Sequence, residues 1–167
     1  MPNVGDQAPE FSLPDDAGTS HRLADRRGHY TVVYFYPEDD TPGCTTEACQ
    51  FRDTHGSIAD EDAEVWGISP DGAESHRRFR SKFGLPFTLL SDVDHAVATE
   101  YGAWGPKKLY GRETIGLIRS SFLVGPDGRV VRAWPKVRAD GHAAEVLAAL
   151  HEARGGTSGE AKASAPS

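Results

Sequence analysis

The stretch Thr31-Val32-Val33-Tyr34-Phe35-Tyr36-Pro37-Glu38-Asp39-Asp40-Thr41-Pro42-Gly43-Cys44-Thr45-Thr46-Glu47-Ala48-Cys49 decides how the chain is read. Its first six residues are β-branched or aromatic throughout. A continuous apolar run of this length suits a strand covered on both faces, as in a parallel or mixed sheet. Residues 37–43 then read as a loop, and a helical segment runs from about residue 42 to 60. Thr41 suits the N-cap and Pro42 the first helical position. Cys44 thereby becomes the third helical residue, where backbone N–H groups lack intrahelical acceptors. Those donors and the helix dipole favour an anion, so the position favours a thiolate. It also follows a buried strand directly, and in open α/β sheets ligands gather at the carboxyl ends of the strands.

Cys44 and Cys49 are the only cysteines in 167 residues, five positions apart. A secreted disulfide scaffold uses more cysteines in a smaller chain. A structural zinc site needs about four ligands, and the histidines at 21, 29, 55, 76, 95, 142 and 151 are scattered without ligand spacing. No metal or other cofactor is expected. On an unbroken helix five residues separate Cα atoms by roughly 9 Å, whereas a disulfide needs less than about 7 Å. The pair therefore suits a redox cycle with two conformations better than a permanent cross-link. The helix is expected to be formed with free thiols and locally melted in the disulfide state.

Working outward, residues 65–69 and 87–90 read as further strands, each preceded by a helical segment. The helix over 71–83 is charged, with Phe79 and Phe83 four apart on one face. A short helix over 94–101 ends at Gly102. Residues 102–116, rich in glycine, read as a surface excursion in which Trp104 and Tyr110 cover the core. Strands at 121–124 and 129–134 are joined by Gly125-Pro126-Asp127-Gly128, a hairpin signal. A last helix over 141–154 carries Ala144, Val146, Leu147 and Leu150 as its apolar stripe. Upstream, residues 5–23 form an extended lead-in with a turn at 15–18. This order predicts an α/β, thioredoxin-like three-layer sandwich, with a central mixed sheet and flanking helices. One domain is expected over 1–154, followed by a disordered, low-complexity tail over 155–167.

The net charge is -7, and no Lys/Arg block occurs, which argues against nucleic acid or an anionic membrane as partner. The longest apolar run, 32–36, is too short to span a bilayer, and Met1-Pro2-Asn3-Val4-Gly5-Asp6 lacks a signal-peptide pattern. A cytoplasmic location is expected.

Pro37-x-x-x-Thr41-x-x-Cys44 resembles the peroxiredoxin active-site signature. A second cysteine five residues later is similar to the bacterioferritin comigratory protein, or peroxiredoxin Q, branch. The likeness extends to Val4-Gly5-Asp6-x-Ala8-Pro9-x-Phe11-x-Leu13, to Phe87-Thr88-Leu89-Leu90-Ser91-Asp92 and to Arg119-Ser120-Ser121-Phe122-Leu123-Val124, and covers roughly residues 4–150. The resemblance implies that Cys44 attacks hydroperoxides and becomes a sulfenic acid. It makes Cys49 the resolving cysteine, Thr41 and Arg119 donors at the reacting oxygens, and Pro37 the residue that shields the site from water. It further implies thioredoxin or a similar dithiol donor as reductant, and a monomer or weak homodimer. Asp39 and Asp40 are expected to point into solvent, away from a thiolate, and neither His29 nor His55 is expected to serve as a base. A thioredoxin-type disulfide reductase is the second reading, although it normally uses Cys-x-x-Cys. A non-catalytic binding protein on the same fold is the third, and the charged composition gives it no support.

Overall fold

The computed structural model describes residues 1–109 and 111–155, so Tyr110 and nearly all of the expected tail lie outside the described residues. In chain order the elements are β1 (Ser12–Pro14), β2 (Ser20–Arg22), a 3-10 turn (Leu23–Arg26), β3 (Tyr30–Phe35), α1 (Pro42–Asp60), β4 (Ala63–Ser69), α2 (Ala73–Phe83), β5 (Thr88–Ser91), α3 (Ala96–Glu100), β6 (Trp104–Leu109), β7 (Arg112–Leu117), β8 (Ser120–Val124), β9 (Val130–Trp134) and α4 (His142–Ala153). No described helix is long and apolar enough to cross a membrane.

The central sheet runs β5-β4-β3-β8-β9. β3, β4 and β5 pair in parallel, while β8 and β9 join antiparallel, which makes the sheet mixed as the element order predicts. The apolar run of β3 is continuous because both faces are covered, and alternate residues serve opposite cores. Val32, Tyr34 and Tyr36 meet Ala48 and Phe51 of α1, Phe79 of α2, and Val146 and Leu150 of α4. Val33 and Phe35 meet Trp66, Ile68, Phe122 and, from α3 and beyond it, Val97 and Tyr101.

Three local readings change. The excursion at 102–116 is an ordered hairpin in which β6 pairs with β7 from Trp104↔Leu117 to Leu109↔Arg112. Its glycines and Pro106 disguise it, and proline is tolerated because this two-stranded ribbon has free edges. Trp104 stacks on His95, ring centroids 3.6 Å apart, and packs against the core as expected. In α4, Ala144 is exposed and the buried stripe is Ala143, Val146, Ala149 and Leu150. Alanine is too small to mark a face by itself. The lead-in also carries its own pair, β1 with β2. The Asp15 carboxylate closes the predicted turn by accepting from the N–H groups of Ala17 and Thr19.

Gly67 of β4 lets the layers close. A Cβ there would sit 2.9 Å from Tyr34 Cζ and Oη and from Leu89 Cδ2. Tyr34 cannot yield, since its ring is stacked on Tyr36 at 5.4 Å and on Phe51 at 4.8 Å. Gly67→Ala should therefore cost about 1–3 kcal/mol through overpacking. The check is a lower urea midpoint with an unchanged slope.

Candidate active site

The site forms where β3 hands over to α1. Thr41 occupies the N-cap position in extended conformation (φ -95, ψ 157). The first helical hydrogen bond runs from Thr45 N–H to the Thr41 carbonyl at 2.8 Å. Pro42 has no N–H, so Gly43 and Cys44 hold the free backbone donors of this turn. Cys44 is buried in this same turn, at 1% exposure.

Arg119, in the short link between β7 and β8, reaches the same turn. Its Nη2 donates to Cys44 Sγ at 3.2 Å, and its Nη1 donates to Glu47 Oε1 at 2.6 Å. Gly43 makes room for this approach, because a Cβ there would lie 3.2 Å from Arg119 Nη2. The Arg119 carbonyl is fixed in turn by Val137 N–H at 2.8 Å.

Glu47 was absent from the residues picked out by motif. Its side chain is fully buried, and its Oε2 has no hydrogen-bond partner among the described residues. Burial pushes its carboxyl up to about 7, against the opposing pull of the Arg119 charge and hydrogen bond. For Arg119, burial works to lower the value, but the charges of Glu47 and Cys44 outweigh it and hold the guanidinium above its ordinary range. The signal for Glu47 was its spacing: three residues after Cys44 it falls on the same helix face.

The other expected residues land as follows. The Thr41 hydroxyl makes no cap bond; it donates to the Glu38 carbonyl at 2.9 Å, because the loop curls back under it. Pro37 is half-buried and lines an open cleft of about 540 Å³ with Arg119, Leu117, Ile118, Pro135 and Val137, and with the lysines at 107, 108 and 136. Cys49 carries a free, half-buried thiol further along the unbroken α1. The fold thus brings Cys44 and Arg119 into contact, and leaves the two sulfurs on separate turns. His29 pairs with Asp62 at the surface, and His55 borders a different pocket beside Glu64 and Phe87.

The expectation for Asp39 is corrected. Asp40 does face solvent, paired with Lys82 at 2.9 Å. Asp39 is instead buried, accepting from Tyr36 Oη at 2.6 Å, Ser75 Oγ at 2.8 Å and His76 at 2.7 Å. The reason is its place at the carboxyl ends of the strands, where these donors from neighbouring elements converge on one carboxylate. The same fold gathers Asp39, Asp71 and His76 with ligand-type atoms within 4.8 Å of one another. Those atoms are already taken up by protein donors and acceptors, including Ser69 Oγ and Asp39 N–H on Asp71 Oδ2.

The AhpC/TSA family matches residues 4–133. The chain is 46% identical over 149 residues to peroxiredoxin Bcp of Bacillus subtilis (strain 168), covering 89% of this chain and 95% of that one. Peroxiredoxin Bcp of Escherichia coli (strain K12) is 43% identical over 149 residues, covering 89% and 96%. Among solved structures, PrxQ of Xylella fastidiosa superposes with a TM-score of 0.86 at 35% identity, covering 92% of this chain and 98% of that one. The bacterioferritin comigratory protein of Xanthomonas campestris, studied for alkyl peroxide reduction, gives 0.83 at 38% identity with the same coverage.

The Glu47 carboxyl titrates near 7 in the folded chain against 4.5 ordinarily. Between those values the folded state holds more protons than the unfolded one, so stability falls as pH rises. The contribution is complete below about pH 4.5 and is lost through about pH 7, a swing on the order of 3 kcal/mol. Urea melts of reduced protein across this range should show the decline, and Glu47→Gln should flatten it.

Proposed function

Because the chain belongs to the AhpC/TSA family, we propose that it is a thiol peroxidase of the peroxiredoxin kind, with Cys44 as the attacking group and hydroperoxides as substrates. The observation that carries this reading is the Arg119 guanidinium donating to the sulfur of Cys44, a residue of the first turn of α1. The Cys44 thiolate attacks the terminal oxygen of the hydroperoxide. An S–O bond forms, the O–O bond breaks, and its electron pair leaves with RO⁻ or HO⁻, which takes up a proton to give alcohol or water. Cys44 is left as a sulfenic acid.

Negative charge spreads over the peroxide oxygens in the transition state, so preset donors lower the barrier. Arg119 and the N–H groups of Gly43 and Cys44 supply them. Glu47 holds one arm of the guanidinium so that the other stays on the sulfur. The Thr41 hydroxyl commits its proton to Glu38, and its oxygen is then free to accept from the hydroperoxide O–H. Pro37, at the cleft beside Arg119, restricts water.

Cys49 then attacks the sulfenic sulfur, and water leaves as the disulfide forms. Closure requires part of α1 to unwind, since roughly 9 Å on an intact helix exceeds the reach of a disulfide. A dithiol donor, thioredoxin or one like it, completes the cycle of an antioxidant enzyme acting in the cytoplasm as a monomer or weak homodimer. The five-residue spacing of the cysteines within one chain supports resolution without a partner subunit.

Cys44→Ser should abolish peroxide turnover, because a hydroxyl of ordinary acidity does not replace a thiolate. Residual turnover above about a tenth of wild type, 1.4 kcal/mol in the barrier, would remove Cys44 from the role of nucleophile. Cys49→Ser should keep the first oxidation and lose recycling by thioredoxin; normal cycling would mean a different resolving thiol. Arg119→Lys replaces a two-armed fork with a point charge. Stopped-flow oxidation should slow about tenfold or more, and an unchanged second-order rate would show that Arg119 does not act on the transition state.

A further inference from the structure

Residues 37–41, which carry Pro37 and Thr41 to the site, hang from one carboxylate. Asp39 accepts from Tyr36 Oη, Ser75 Oγ and His76 Nδ1, and its N–H donates to Asp71 Oδ2 at 2.8 Å. These partners belong to different elements: Tyr36 follows β3, Asp71 follows β4, and Ser75 and His76 lie in the first turns of α2. The far side of the His76 ring reaches β5, with Nε2 3.1 Å from the Leu90 carbonyl. Both ring nitrogens therefore lie within hydrogen-bond distance of an oxygen, one on Asp39 and one on Leu90. The His76 side chain is fully buried and that of Asp39 is 3% exposed, so water cannot replace either partner.

The backbone shape held by this anchor does not maintain itself. Asp40 sits in the left-handed region at φ 60 without being glycine, a conformation that persists only where surroundings enforce it. Downstream, the same chain has to unwind each time Cys49 meets Cys44.

We propose that His76 is a positioning residue for the peroxidatic site: acting through Asp39, it keeps residues 37–41 in one shape while α1 opens beyond them. Pro37, Thr41 and the start of the helix then stay in place through the cycle, and the unwinding has an upstream limit at Thr41. This inference rests on the thiol-peroxidase reading above.

Two substitutions separate the faces of the ring. His76→Asn retains a donor near the Nδ1 position, toward Asp39, and gives up Leu90. His76→Gln retains one toward Leu90 and withdraws the donor from Asp39. Each is tested for the second-order rate of Cys44 oxidation by hydrogen peroxide and for the rate of disulfide closure. His76→Gln should oxidise tenfold or more slowly with closure undiminished, and His76→Asn should stay within about threefold of wild type on both. Equal losses in the two variants, or a wild-type oxidation rate in His76→Gln, would overturn the proposal. Amide exchange on the wild-type protein needs no variant. In the oxidised form the Asp39 amide, which donates to Asp71, should stay protected while the amides of residues 45–49 exchange fast, and loss of protection at both would overturn the upstream limit. Ser75→Ala, which removes a single donor to Asp39, is the gentler variant should the others not fold, with an intermediate fall in oxidation rate expected and no fall counting against the anchor. A wild-type protein that consumed no peroxide would sink the peroxidase reading, while the exchange experiment would still judge the anchor.

Discussion

The two arms of Arg119 join Cys44 to Glu47, and the arrangement of the rest of the site depends on that bridge. A thiolate below the surface requires a nearby cation, and a cation there requires a carboxylate to hold it in place. Glu47 alone in the core would stay protonated, and Arg119 alone would turn to solvent. Together they put a fixed positive charge against sulfur, with Gly43 supplying the clearance. The sheet order makes the encounter possible. β8 pairs antiparallel with β3, Phe35 opposite Ser120, so the residue before β8 lies beside the end of the strand that feeds α1.

α1 carries opposing demands. Intact, it turns the N–H groups and positive dipole end of its first turn toward the site; for a disulfide it has to give way between the cysteines. Its composition suits both. Thr45 and Thr46 follow Cys44, and β-branched threonines are weak helix formers. Further along, Phe51 is wholly buried and stacks on Tyr34 at 4.8 Å. On the other side Asp39 ties the preceding loop to the segment after β4 and to α2. The stretch between the cysteines therefore lies between two well-held points, the Asp39 anchor and the buried Phe51.

Much of this is legible in the sequence. The start of α1 falls where Thr41 and Pro42 put it, its end at the expected residue 60, and the continuous apolar run of β3 does lie under two covered faces. The hairpin at 102–116 was hidden because glycines and a proline read as loop when no partner strand is known. Ala144 was misplaced because alanine says little about which side of a helix is wet. The expectation that Asp39 faces solvent rests on a charge argument between neighbours in sequence, whereas two of its three side-chain donors come from residues 75 and 76.

The sequence by itself determined the local chemistry: a thiol in the first turn of a helix after a buried strand, a second thiol five residues on, and the alternation of elements that builds a mixed sheet. Those are set by short-range geometry, since capping, helical rise and strand periodicity act over a few residues. Among the distant groups that complete the site, Arg119 was named by the family resemblance and not by local geometry, while tertiary structure alone brought in His76 and buried Glu47. Arg119 reaches Cys44 across 75 positions and His76 reaches Asp39 across 37. Whether Glu47 is a surface charge or a buried one titrating near 7 depends on what covers α1. Burial sets the electrostatic worth of a charge, and burial is a property of packing that no local pattern records.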